Sequence, residues 1–178
     1  MLAAALQVVQ APIEEPKPGA TPTPGSYPTI NARAEAALTK LTAVYEAYPS
    51  AQAGIAARYY AGSALSMLGK PAEAAARYQE VADRAGTSNF YGRMARLGAI
   101  EANAQAKQFD QAINAAQALV NNTGDDTIPR DALLMELGRV QAAAGKKAEA
   151  KQTLDKVIAD FPQSVYVDEA RRLLETVT

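Results

Sequence analysis

The side chains that could do chemistry here are few. The chain has 178 residues with no cysteine and no histidine. That removes thiolate and imidazole catalysis, most zinc sites and every Ser-His or Cys-His arrangement. Asp, Glu, Ser, Tyr and Lys remain. Glu14-Glu15, Asp125-Asp126 and Asp168-Glu169 are adjacent acid pairs, but sequence neighbours on a helix point in different directions and do not converge on one reacting atom. Asn121, Asn122, Asp125, Asp126 and Asp131 collect oxygen ligands around one loop. A Ca²⁺ site there is conceivable, yet the spacing lacks the alternation of an EF-hand loop, and a solvated loop with an Asp capping the next helix is the plainer reading. Gly69-Lys70 and Gly145-Lys146 lack the further glycines of a phosphate-binding loop. Asn121-Asn122-Thr123 is a glycosylation sequon of a common kind. No catalytic, cofactor-binding or metal-ligating set results, so the chain reads as a non-enzyme without cofactor.

The elements that carry these residues are helical. Net charge is -1, with Lys and Arg scattered among Asp and Glu. No basic face marks a nucleic-acid partner. No apolar run reaches the roughly 20 residues needed to span a bilayer. Met1–Gln10 has no basic leader and does not read as an intact signal peptide; it could be what remains after an upstream signal or anchor is removed. Alanine is abundant, with three Phe and no Trp, a composition for closely approaching helices rather than sheets.

Apolar residues recur at three- and four-residue steps, which places them on one helical face. Asp131–Ser164 shows the unit best. Leu134, Leu137, Gly138 and Gln141 form one stripe, Gly145-Lys146-Lys147 a turn, Ala150, Leu154, Val157 and Ile158 a second stripe, and Phe161-Pro162 a stop. The unit recurs. Ala37, Ala74, Ala112 and Ala150 stand 37, 38 and 38 residues apart, and so do the terminators Pro49, Gly86, Gly124 and Pro162. Gly62 and Gly138 are 76 apart, as are Gly69 and Gly145. A small residue in each helix permits a close crossing, and large ones fill the groove beside it. One such pair cannot bury its apolar faces alone. The expected fold is all-α, a short α-solenoid of antiparallel helix pairs in a right-handed superhelix with a concave face.

Leu137-Gly138, Gly145, Ala150, Leu154, Val157 and Pro162, with Ala61-Gly62, Gly69, Ala74, Tyr78 and Val81, resemble the tetratricopeptide repeat (TPR) family across about residues 31–178. Phe109 and Ala112 carry a weaker copy. The period exceeds the family's usual 34 residues, Arg58 and Arg96 stand where a large apolar residue is usual, and Ile100 where a small one is. Tyr48-Pro49-Ser50 and Phe161-Pro162-Gln163-Ser164 are similar to bacterial envelope TPR proteins, more loosely to those of the ancillary-translocon type. That likeness implies an extracytoplasmic (periplasmic or extracellular) setting and protein partners. Family members that grip a C-terminal carboxylate use Lys and Asn in the groove, and these are missing here.

Two parts of the chain therefore concern function. In the repeat domain, 31–178, the first helix of each pair should offer its residues to the concave face: Tyr59, Ser63 and Met67, then Met94, Leu97, Glu101 and Gln105, then Met135 and Arg139. Met and Tyr suit adaptable contact with another chain, and Glu101 and Arg139 would orient it. The other part, residues 1–30, joins a short amphipathic helix to six prolines between Pro12 and Pro28. Proline at that density forbids helix and predicts an extended arm, reaching on the order of 50 Å at about 3.1 Å per residue. Asn31 is the expected cap of the helix that follows. That helix has no partner before it except Met1–Ala11, which could dock through Leu2, Leu6 and Val9 onto Leu41 and Tyr45 of its own chain or of a neighbour. The expected function is protein–protein interaction. In one version the chain self-associates through arm and solenoid ends into a homo-oligomer or filament; in the other it is a monomeric envelope scaffold or chaperone-like adaptor.

Overall fold

The computed structural model describes residues 1–17, 19, 21, 23–122 and 128–177. Pro18, Pro22, Thr123, Gly124, Asp125 and Asp126 lie outside them, so the sequon, one repeat terminator and the conceivable Ca²⁺ loop are not described. Among the described residues there are nine α-helices and no strand beyond one isolated bridge. They are α1 (Leu2–Val9), α2 (Ile30–Ala47), α3 (Gln52–Met67), α4 (Pro71–Ala85), α5 (Phe90–Gln105), α6 (Phe109–Asn121), α7 (Arg130–Ala143), α8 (Lys147–Asp160) and α9 (Val167–Val177). The chain forms two compact units, Met1–Ala102 and Asn103–Thr178.

Helix ends follow local chemistry. The cap of α2 is Thr29 rather than Asn31: its Oγ1 accepts the Ala32 N–H at 3.0 Å. Asn89 caps α5 through the Tyr91 and Gly92 N–H groups at 2.9 and 3.3 Å. Pro71 opens α4, where its missing N–H costs nothing. Two turns within pairs end on a left-handed glycine, Gly69 (φ 69°) and Gly145 (φ 74°). There Lys70 N–H reaches Leu65 C=O and Lys146 N–H reaches Gln141 C=O, satisfying orphan carbonyls. The third turn repeats the geometry without glycine. Lys107, 38 residues from each, holds φ 60°, and Gln108 N–H donates to Asn103 C=O at 2.8 Å.

In the first unit α2 packs on α3 and α3 on α4, while α1 lies against α2 and α3. Ala5, Val8, Ala37, Leu41, Val44, Ala57 and Ala61 make one core, with Leu2, Val9 and Tyr45 packed at its edge. The N-terminal helix thus lies against α2 and α3. Leu6 does not join that core, and Val8 takes its place. At about 100° per residue, a face centred on Ala5 takes in Val8 more closely than Leu6.

The proline-rich segment is not an extended arm. Tyr27 N–H donates to Pro12 C=O and Glu14 N–H to Tyr27 C=O, both at 2.9 Å, pairing Ile13 with Tyr27 in a parallel bridge. Inside the loop the Glu14 carboxylate accepts from Thr23 N–H (2.7 Å) and Thr23 Oγ1 (2.9 Å). These bonds, led by the Thr23 N–H, hold the Glu14 carboxyl below its ordinary value. Arg33 Nη1 ties the loop's start down through Ala11 C=O at 3.0 Å. Proline excludes helix here as expected, but a few specific bonds close the loop, and the reach of an extended chain goes unused.

Arg58 and Arg96, the family departures, form a repeated device. Arg58 donates to Pro49 C=O (2.9 Å) and Tyr45 C=O (3.3 Å), and Arg96 to Gly86 C=O (3.1 Å) and Ala82 C=O (3.2 Å). Each guanidinium caps the carbonyl end of the preceding second helix, where cations are favoured. Gly54 and Gly92, also 38 apart, let the same helix end approach: a Cβ at either would run into the Tyr48 or Gly86 carbonyl oxygen. In the second unit α6, α8 and α9 all pack on α7. Leu154 fills the space over Gly138, whose added Cβ would stand 2.7 Å from Leu154 Cδ2. Buried Gln141 and Thr153 satisfy each other, Thr153 Oγ1 donating to Gln141 Oε1 at 2.7 Å.

Candidate functional site

The expected surface residues divide between the two units. On α3 and α5 of the first unit, Tyr59 is half-buried in an aromatic cluster, its ring centroid 5.4 Å from Tyr60, 5.7 Å from Tyr78 and 5.5 Å from Tyr91. Ser63 and Ser66 lie near the Tyr78 hydroxyl. Burial pushes the Tyr78 phenol up to about 12, with the neighbouring Tyr59 adding to it. Ser63 thus supports the core. Met67 is 46% exposed, but the hollow beside it, between Val9, Arg33, Tyr60 and Ser63, has a volume of about 10 Å³. That is room for no more than one water, because α1 fills the space next to α3. Met94 and Leu97 are half-buried along α5, and Glu101 is exposed.

In the second unit Gln105 is exposed, and Met135 is wholly buried. Met135 is a correction: it is core and presents nothing to a ligand. Helix α7 has neighbours on several sides and buries Leu133, Leu134, Met135, Leu137 and Val140 together. No outward stripe is left at Met135.

Arg139 does face an opening. A groove of about 560 Å³ runs between the C-terminal half of α7 and α9. Ala142 and Ala143 line one wall, Leu173 and Val177 the other, and Gly145 and Lys147 close one end. Arg139 Nε and Nη2 grip Glu169 Oε1 and Oε2 at 2.9 and 2.7 Å, and Nη1 donates to Glu136 at 3.0 Å. The guanidinium also lies 5.9 Å from the Tyr166 ring centroid. The Glu169 hydrogen bonds, then those of Glu136, raise the Arg139 pKa, and the same bonds lower that of Glu169. Arg139 is therefore a clamp joining α9 to α7 rather than a free orienting charge. The available cations are Lys147 and Arg172, which line the groove and have no ion-pair partner within 4.0 Å among the described residues. Arg139 is already offset by Glu169 and Glu136, so Lys147 and Arg172 are the cations that the lining offers a ligand.

Sequence reasoning missed the α9 wall. Its signal was present, since Glu169, Leu173, Thr176 and Val177 share one face at three- and four-residue steps. The repeat template ended before α9, so that face had no register. Nothing in this groove resembles a catalytic set: its carboxylate is saturated by arginine, and its remaining polar groups are cations and one hydroxyl. Among the described residues no group of three or more acidic side chains could hold a metal ion, and no helix is long and apolar enough to cross a membrane.

Comparison with known proteins agrees with this architecture. Residues 56–88 and 131–164 match the family model described as tetratricopeptide repeat. The first match covers α3–α4 and the second α7–α8. Two solved structures of the nearly identical TPR-like repeats of a protein described as a kinesin light chain from Podosopora anserina are similar in fold. One is 19% identical with a TM-score of 0.63, and a single-substitution variant of the same protein is 19% identical with a TM-score of 0.64. Each match covers 83% of this chain and 86% of the other. No curated protein sequence matches the chain. Two segments of the chain thus match tetratricopeptide repeats, and its all-helical fold is similar to that of TPR-like repeats.

Proposed function

We propose that this chain of tetratricopeptide repeats is a protein–protein interaction module whose α7–α9 groove takes a segment of another polypeptide. The observation that carries the reading is the groove itself. Its volume of about 560 Å³ falls in the range of sites that enclose a few side chains. Its walls are largely apolar, Lys147 and Arg172 line it outside any ion pair within 4.0 Å among the described residues, and the Arg139–Glu169 pair joins α7 to α9. Preformed geometry lowers the ordering cost of binding. In the first unit α1 occupies the space beside α3, so the second unit presents the roomier site. An adaptor or scaffold role follows, and the likeness of the Tyr48-Pro49-Ser50 and Phe161-Pro162-Gln163-Ser164 turns to envelope TPR proteins favours an extracytoplasmic setting.

The test is partner capture with the whole chain, followed by reconstitution of the purified pair. Ala143→Arg fills the groove from an exposed helix position without touching the core. The expected result is a polypeptide bound by the unsubstituted chain and released by Ala143→Arg. A partner held equally by both would place the binding surface elsewhere.

Self-association is the second reading. Copies would associate through the surfaces of their helix pairs.

A further inference from the structure

We infer that the α7–α9 groove receives the Ile13–Glu15 edge of the proline-rich loop of a second copy, giving head-to-tail association; this rests on the groove being an interaction site. The closed loop displays these residues in a specific way. Ile13 is held in an extended bridge to Tyr27, and alternate side chains of extended backbone point to opposite sides. Glu14 points into the loop, where Thr23 saturates its carboxylate. Ile13 and Glu15 therefore share the outward side. Ile13 is 38% exposed, and Glu15 is exposed without a hydrogen-bond or ion-pair partner among the described residues.

The groove offers the complementary pattern. Ala143, Leu173 and Val177 provide an apolar wall for an aliphatic side chain, and Arg172 or Lys147 a cation for a carboxylate. Its two cations outside the Arg139 clamp, Lys147 and Arg172, oppose the single outward carboxylate, that of Glu15. Both surfaces are preformed, the loop by its internal bonds and the groove by the Arg139–Glu169 clamp, so neither must be ordered on docking. The two patches differ and sit in different units of the chain. The contact therefore joins two different surfaces, the loop of one copy and the groove of another.

The experiment uses the full chain and sedimentation velocity over a concentration series. The unsubstituted protein should show mass rising beyond the monomer with concentration, more so at low salt. Ile13→Asp blocks the loop and Ala143→Arg blocks the groove, so each alone should be monomeric. Mixed together they should form one dimer, because each still carries the surface the other lost. Glu15→Lys and Arg172→Glu should each weaken association about 10-fold, and combined in one chain they should restore it. A monomer at every concentration overturns the proposal while leaving partner capture by the groove intact. So does association unaffected by either block, or two charge reversals that fail to compensate.

Discussion

Adding one methyl group to Gly62 sets two well-characterised effects against each other. In a helix interior Gly→Ala is worth about 1 kcal/mol of stability through backbone entropy. Here the new Cβ would stand 2.8 Å from Tyr78 Cε1 and 2.9 Å from Cδ1. Carbon atoms sit best about 3.5–4.0 Å apart, so the ring would have to retreat by roughly 0.7 Å or more. It has nowhere to go. A Cβ at Gly98 would meet Cε2 of the same ring at 2.9 Å from the other side. Overpacking of a closed site costs roughly 1–3 kcal/mol. The expected net effect of Gly62→Ala is a loss of up to about 2 kcal/mol, with Gly98→Ala similar from the opposite edge. The assay is urea unfolding followed by far-ultraviolet circular dichroism. In a Tyr78→Leu background, where the flat ring is gone, Gly62→Ala should become neutral or stabilising. A Gly62→Ala protein as stable as the parent would show that the ring is not clamped.

Three further outcomes follow from the same packing. Lys107→Gly should stabilise by about 0.5–1 kcal/mol, because Lys107 occupies the left-handed turn position that Gly69 and Gly145 fill elsewhere; a lower unfolding midpoint would refute it. The Tyr78 phenol is raised to about 12 in the folded chain against an ordinary 10.0. Its contribution is therefore complete below pH 10 and lost as pH rises toward 12, on the order of 2–3 kcal/mol, which unfolding at stepped alkaline pH should show and Tyr78→Phe should remove. Glu169 has a lowered pKa, so the Arg139–Glu169 clamp stabilises above the ordinary carboxyl value and is lost as pH falls through the depressed one. Glu169→Gln should abolish that acid-limb contribution, cost no more than about 1 kcal/mol at this half-exposed site, and speed amide exchange in α9; unchanged exchange would mean the pair does not hold α9.

The repeat was legible because it is written in residue size. Gly62, Tyr78, Gly138 and Leu154 repeat at a fixed period, and the contacts they make are short-range consequences of helix crossing. Capping was legible to within a residue or two, Thr29 displacing Asn31. The failures share a different cause. Met135 could not be told from its neighbours because α7 is apolar on several faces, and which face meets solvent depends on helices elsewhere in the chain. Arg139 looked free because its partner, Glu169, is 30 residues away. The arm looked extended because proline content predicts the absence of helix, whereas loop closure depends on Tyr27, Thr23 and Glu14 meeting.

The sequence by itself determined a helical chain with a 38-residue period, without thiol or imidazole chemistry. Those properties follow from residue types and from local spacing along one helix. Tertiary structure alone decided that α1 packs on α2 and α3, that Arg58 and Arg96 cap helix ends, and that α7 and α9 leave an apolar, cation-rimmed groove. Each of these depends on which residues distant in sequence come within a few ångströms, and periodicity carries no record of that.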